Sequence, residues 1–118
     1  MIGIDLVENS KILKALKNDG FINKILTENE QAYVNQFKNR SEHIAGFFSA
    51  KEAVMKALEN CKKISFKDIE INHEKSGKPY VKLTGEAQNV FKECGYKGVE
   101  ISISQTENFA TAVAILIK

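Results

Sequence analysis

Two acids and two lysines are the residues of this chain whose types and spacing suit chemistry. Asp5 interrupts the apolar run Ile2-Gly3-Ile4-Asp5-Leu6-Val7. An ionised carboxylate in such a strand needs a partner, because burying it alone is costly. A structural lysine, a backbone amide or a metal ion would each serve. Further along, Ala45, Ser49, Glu52 and Lys56 form one line down a helix, with Phe48 beside it. An i,i+4 surface pair worth about 0.3–0.5 kcal/mol explains Glu52 and Lys56. It does not explain why Ala45 and Ser49 are small, which suits close approach by a ligand or another backbone. Lys51 falls inside the apolar stripe of Ile44, Phe47, Val54, Met55 and Leu58. Either its stem snorkels outward or its ammonium has a buried partner. Sequence separation says nothing about whether Asp5 and Glu52 meet. If they do, two hard carboxylates suit Mg²⁺, which keeps several waters and takes further oxygens from a substrate phosphate, so phosphoryl chemistry would follow. Neither a Walker-A, a Gly-x-Gly-x-x-Gly nor a His-Glu-x-x-His spacing occurs.

The elements that must hold these residues can be read from period and punctuation. Ile2 to Val7 suits a short buried strand. Asn9 or Ser10 can cap a helix to about Lys17, with Ile12, Leu13 and Leu16 on one stripe and Lys11, Lys14 and Lys17 on its neighbour. Thr27-Glu28-Asn29-Glu30 is a capping box and predicts a helix from Glu28 to Lys38. Ser41 then caps the longest helix, Glu42 to Glu59. Alternation over Asp68 to Asn72 and Tyr80 to Leu83, around the turn residues Glu74 to Pro79, predicts a hairpin. Thr84 caps a helix from Gly85 to Glu93 that stops at Gly95. Val99 to Ser104 and Ala110 to Ile117 make a second hairpin, whose last strand is apolar on both faces and must be central or covered, by another subunit if not by this one. The expectation is an α+β domain over residues 1–118, with a mixed, mainly antiparallel sheet packed on a long central helix.

Composition narrows the class. At 118 residues, 43% apolar and 27% charged, the chain is neither disordered nor collagenous nor membrane-spanning. Seventeen Lys and Arg against fifteen Asp and Glu leave +2, well short of the basic excess of a dedicated nucleic-acid binder. Cys61 and Cys94 match no metal-site spacing and read as reduced, buried or semi-buried thiols. His43 and His73 read as surface or cap residues. The opening residues lack a basic region, so the expected location is cytoplasmic.

Three segments give the chain a resemblance to the holo-[acyl-carrier-protein] synthase branch of the 4′-phosphopantetheinyl transferases. They are Gly3-Ile4-Asp5-Leu6-Val7-Glu8, Phe48-Ser49-Ala50-Lys51-Glu52-Ala53-Val54-Met55-Lys56-Ala57-Leu58, and Ser102-Ile103-Ser104-Gln105-Thr106. Phe66 to Ile71 and Gly77-Lys78-Pro79-Tyr80 are similar to the family as well, so the likeness runs in order along nearly the whole chain. The resemblance implies transfer of phosphopantetheine from coenzyme A to a serine of apo-acyl carrier protein in fatty acid synthesis, releasing adenosine 3′,5′-bisphosphate. It implies Mg²⁺ held by Asp5 and Glu52, and Glu52 and Lys56 as catalytic residues. Coenzyme A would be bound by Lys51, Lys56, Gly77, Lys78, Pro79 and Gln105. It further implies a homotrimer with shared active sites, and a basic surface of Lys11, Lys14 and Lys17, which Lys24 extends, for an acidic carrier protein; the same lysines also suit a plain solvated face. Glu52, Lys56 and a metal-bound water all remain open as acceptor of the serine proton.

The chain departs from the family pattern at three places. Gln105 replaces a usual histidine, Phe47 a common arginine, and Leu58-Glu59-Asn60-Cys61 a glycine-rich loop. Lys51, Lys62, Lys63 or Lys78 would have to supply the missing positive charge. The alternative reading is a non-catalytic oligomeric module that still holds a nucleotide or the carrier protein. An RNA-binding reading has little behind it, since no aromatic series accompanies the lysines, and neither a nucleic acid nor a membrane is an expected partner.

Overall fold

The computed structural model describes residues 1–59 and 63–118. The elements run β1 (Ile2–Glu8), α1 (Asn9–Ala15), α2 (Phe21–Ile25), α3 (Glu28–Val34), α4 (Arg40–Leu58), a 3₁₀ turn (Phe66–Asp68), β2 (Ile69–His73), β3 (Pro79–Leu83), α5 (Gly85–Glu93), β4 (Gly98–Gln105) and β5 (Phe109–Ile117). The α+β class and the long helix are as expected. The sheet differs, because the strands divide into two sheets, β1-β5-β4 and β2-β3, whose pairings are all antiparallel. β5 takes the central place that its two apolar faces require. Ala110, Ala112, Ala114 and Leu116 are buried, while Phe109, Ile115 and Ile117 are exposed on its other face.

Small residues let sheet and helix come close. Gly3 lies directly on the backbone of α4, where a Cβ would collide with the Ala53 carbonyl and stand 2.8 Å from the Ala57 nitrogen. From Ile44 to Leu58, only Phe48, Glu52 and Lys56 escape full burial. These three are spaced i, i+4, i+8 and so form one seam that the sheets leave uncovered. Ala45 and Ser49 are wholly buried. For Ser49, close approach by another backbone is the explanation observed, since its hydroxyl meets the Asp5 carbonyl at 3.1 Å.

Element boundaries depart from the sequence reading where side chains found other partners. The capping box at Thr27 is present as expected, but α3 stops at Val34 and Phe37 turns back to stack on His43 at 3.9 Å. Helix α4 starts at Arg40 with no side-chain cap. It ends on Glu59 at a φ of 61°, a left-handed position that ordinarily favours glycine. Asn9 does not cap α1. Its amide donates instead to the Thr106 and Glu107 carbonyls, tying the β4–β5 turn to the end of β1. Helix α2 and the 3₁₀ turn, five and three residues long, are too short to show a period in the sequence.

Candidate active site

Asp5 sits on β1, and β1 is placed against α4 by the bare backbone of Gly3 two residues earlier. The expected cation is present: Lys56 Nζ lies 3.1 Å from Asp5 Oδ1 and donates to the Ile4 carbonyl at 3.0 Å. Glu52, one helical turn before Lys56, belongs to the same cluster. Burial, and after it the negative charge of Asp5, push its carboxyl above the ordinary carboxylate range, while Lys56 works in the opposite direction. A groove of about 530 Å³ opens at this point, lined by Ile4, Asp5, Leu6, Lys56 and Thr111. Asp5 and Lys56 thus share one open edge, and Glu52 lies near enough on α4 to feel the charge of both.

Such a site fits a divalent cation. Asp5 disfavours the ionised form of Glu52, a repulsion that a cation beside the two carboxylates would relieve, and carboxylate oxygens are the donors Mg²⁺ takes. Among the described residues no group of three His, Cys, Asp or Glu side chains gathers as a metal cage. The protein would supply two carboxylates and leave the remaining positions to water and phosphate oxygens.

Lys51 requires a correction. Expected as a coenzyme A ligand, it is wholly buried, with Nζ 2.7 Å from Glu30 Oε1 and 2.9 Å from the Phe66 carbonyl. Its ammonium is enclosed by α3, the 3₁₀ turn and β2 and cannot reach a ligand in the groove, nor replace the missing surface cations. Burial pulls its pKa down, with Glu30 opposing. The partner is a shared one. Glu30 Oε1 also accepts the Thr27 amide as helix cap, and Oε2 accepts the Ile71 amide of β2.

The remaining expected residues lie apart from the groove of their own chain. Gly77 and Lys78 are on the β2–β3 turn and Pro79 opens β3; Gly77 has a φ of 92° and Lys78 stands 3.6 Å from Glu100. Lys11, Lys14, Lys17 and Lys24 are exposed on or near α1 and α2. Lys63 is exposed, and Cys61 and Lys62 lie outside the described residues. Cys94 is an exposed free thiol rather than a buried one.

Gln105 folds onto α4 at Gly46, where a Cβ would collide with its Oε1, and its amide meets His43 Nδ1 at 3.2 Å. His43 and His73 prove not to be simple surface residues. They stack on Phe37 and Tyr33 at 3.9 and 4.1 Å, and Phe47 joins the same cluster. Burial lowers the pKa of both, against Glu42 for His43 and reinforced by His43 for His73. Sequence reading missed this cluster, and it also missed Thr111, whose hydroxyl donates to the Asp5 carbonyl at 2.7 Å. The aromatic spacing from Tyr33 to Phe47 was the available signal for the first; nothing marked the second.

The family model of the 4′-phosphopantetheinyl transferase superfamily matches residues 1–114. The holo-[acyl-carrier-protein] synthase of Caldanaerobacter subterraneus is 42% identical over 118 residues, covering 98% of this chain and 93% of its own. Among solved structures, the Helicobacter pylori holo-[acyl-carrier-protein] synthase in complex with coenzyme A superposes with a TM-score of 0.85 at 35% identity, covering 98% of this chain and 99% of that one. The Neisseria meningitidis holo-[acyl-carrier-protein] synthase superposes with a TM-score of 0.90 at 30% identity, covering 99% and 97%. Fold and relatives together define a group-transfer enzyme. The chain belongs to the 4′-phosphopantetheinyl transferase superfamily.

Proposed function

We propose that this protein is a Mg²⁺-assisted holo-[acyl-carrier-protein] synthase, moving 4′-phosphopantetheine from coenzyme A to a serine of apo-acyl carrier protein. The observation behind the mechanism is the Asp5–Lys56 pair lining one groove, with Glu52 one helical turn away on α4 and within the influence of both charges. In the reaction, the serine oxygen forms a bond to the phosphorus that carries the pantetheine arm. The bond from that phosphorus to the bridging diphosphate oxygen breaks, the serine proton is released, and adenosine 3′,5′-bisphosphate leaves. Asp5 and Glu52 would hold the ion, which when bound supplies charge neutralisation to the diphosphate. Lys56, already aimed at the Asp5 carboxylate, is the cation placed to meet charge growing on phosphoryl oxygens. Most of the rate enhancement would come from positioning and electrostatics.

The same reading takes the enzyme to be a cytoplasmic homotrimer serving fatty acid biosynthesis. Support for assembly comes from the outer face of the β1-β5-β4 sheet, where Ile2, Ile4 and Leu6 are each about two-thirds exposed beside Ile115 and Ile117. Ile4 and Leu6 also line the groove, so a subunit covering this face would wall the active site. Gly77, Lys78, Pro79 and Gln105 would then reach coenzyme A bound across such an interface. Lys11, Lys14 and Lys17, exposed at and just beyond α1, would steer an acidic carrier protein, an effect that salt weakens.

One observation keeps a second reading in view. Phe47 and Gln105, standing where the family carries cations, are engaged by the aromatic cluster and by His43, which favours a module that binds without transferring. Mass spectrometry decides between them. Apo-carrier protein incubated with coenzyme A, Mg²⁺ and this protein gains one phosphopantetheine mass if it is a transferase, and Asp5→Ala or Glu52→Ala abolishes the gain. An unmodified carrier, or full activity in either variant, rejects the transferase mechanism.

A further inference from the structure

The two peptide units that flank Asp5 are each gripped by side chains from other elements. The Ile4 carbonyl accepts Lys56 Nζ at 3.0 Å. The Asp5 carbonyl accepts two hydroxyls, Ser49 Oγ of α4 at 3.1 Å and Thr111 Oγ1 of β5 at 2.7 Å. By the phase of the β1–β5 ladder this carbonyl also faces the Ala112 amide, so the two hydroxyls reinforce a ladder position and share the oxygen with it. Fixing the peptide plane on each side of a residue fixes its φ and ψ, and with them the direction of its Cα–Cβ bond. β1 is an edge strand, with β5 on one side only. Without such a grip, its position over the seam of Glu52 and Lys56 would rest on the Gly3 contact and the β5 ladder.

We infer that Ser49 and Thr111 are positioning residues for the Asp5 carboxylate, fixing the backbone that carries it beside Lys56 and Glu52, where it would serve as a ligand to a divalent cation. Neither hydroxyl touches the ion or the substrate in this role. They act through the backbone of Asp5, as outer-shell partners act on metal ligands, where their loss typically costs about tenfold or more in metal affinity. Ser49 is wholly buried and donates outward from α4 to the strand, which explains why a hydroxyl rather than a methyl group stands in that tight position. The inference rests on the metal-assisted reading above.

The test uses Mn²⁺ as probe. The ion is titrated into the assembled protein with saturating coenzyme A, free Mn²⁺ being counted by electron paramagnetic resonance, for the wild type, Thr111→Val, Thr111→Ser, Ser49→Ala and Asp5→Asn. Transfer rates are measured in parallel across Mg²⁺ concentrations. Thr111→Val and Ser49→Ala are expected to bind Mn²⁺ about tenfold more weakly, with the Mg²⁺ concentration at half-maximal rate rising more than the maximal rate falls. Thr111→Ser, which keeps the donor, should bind nearly as the wild type does. Should the buried Ser49→Ala fail to fold, the isosteric Thr111→Val on the half-exposed strand face decides alone. Wild-type Mn²⁺ affinity in Thr111→Val, alongside weakened binding in Asp5→Asn, overturns the positioning role and leaves the metal site standing. A rate loss that no Mg²⁺ concentration offsets overturns it too. If the wild type binds no Mn²⁺, or Asp5→Asn binds it equally well, the metal-assisted reading and this inference fall together.

Discussion

Glu52 holds a position that costs the fold something. Its carboxyl is partly enclosed and faces Asp5, and both influences favour the protonated form. In the metal-free protein the native state therefore keeps its proton to higher pH than the unfolded chain does. Between the ordinary carboxylate pKa and the raised native one, the native state binds more protons, so this contribution to stability is full at low pH and declines as pH rises through that window. Glu52→Gln removes the ionisation while keeping the shape. It is expected to unfold in EDTA at neutral pH at a denaturant midpoint equal to or above that of the wild type, and to lose the decline with pH, while transfer falls by about two orders of magnitude or more. Urea titrations at several pH values, paired with the mass-spectrometric transfer assay, check this. A clear drop in midpoint at neutral pH would show that Glu52 is a structural acid held by Lys56, not a group kept for chemistry at the expense of stability.

Among the elements, α4 governs the rest, and its orientation is set from opposite sides. Toward the three-stranded sheet, Gly3 and the small residues Ala45, Ser49, Ala53 and Ala57 permit backbone contact. On the other side, Lys51 is locked to Glu30, which is at once the cap of α3 and a partner of β2. Lys51→Met leaves the Glu30 carboxylate buried without its cation and should cost about 3–5 kcal/mol. Adding Glu30→Gln to that variant removes the stranded charge, so the double variant should be about 1–2 kcal/mol more stable than the sum of the two single losses predicts. Denaturant unfolding of the three variants measures it, and simple additivity would mean that the pair is solvated. How far this was legible follows from which interactions are local. Both hairpins and the capping box at Thr27 could be read, because period-two alternation and an i,i+3 reciprocity are written in adjacent residues. The partners of Lys51 are not adjacent, so its place inside an apolar stripe flagged a buried partner without identifying one, and the coenzyme-binding role that family likeness gave it did not survive. The grip of Ser49 and Thr111 on Asp5 was invisible because its acceptor is a main-chain carbonyl, which every residue has. That Asp5 and Glu52 converge was conditional from the residues alone, and only the family likeness joined them before the fold did.

At the scale of the whole molecule, the exposed face of the β1-β5-β4 sheet is the feature a lone chain explains least. Ile2 pairs with Ile115 and Ile4 with Val113 across the strands, so the apolar side chains form one continuous patch, and monomers seldom leave such a patch to water. The patch reaches the groove, because Ile4 and Leu6 belong to both. If other copies of the chain cover it, assembly and activity must be linked, since the uncovered groove has no wall on that side. Ile115 separates the two effects. It lies within the patch on β5 but does not line the groove, so Ile115→Glu places a charge in the interface without touching Asp5, Glu52 or Lys56. Sedimentation equilibrium should show the wild type as an oligomer of 13.2 kDa chains and the variant as a monomer of unchanged secondary structure. Transfer by the variant should fall about a hundredfold or more, as expected when a site loses groups that position its substrate, and wild-type specific activity should decline on dilution through its dissociation range. A monomeric Ile115→Glu protein with full activity would mean that each chain carries a complete site, and the apolar face would then need a different partner.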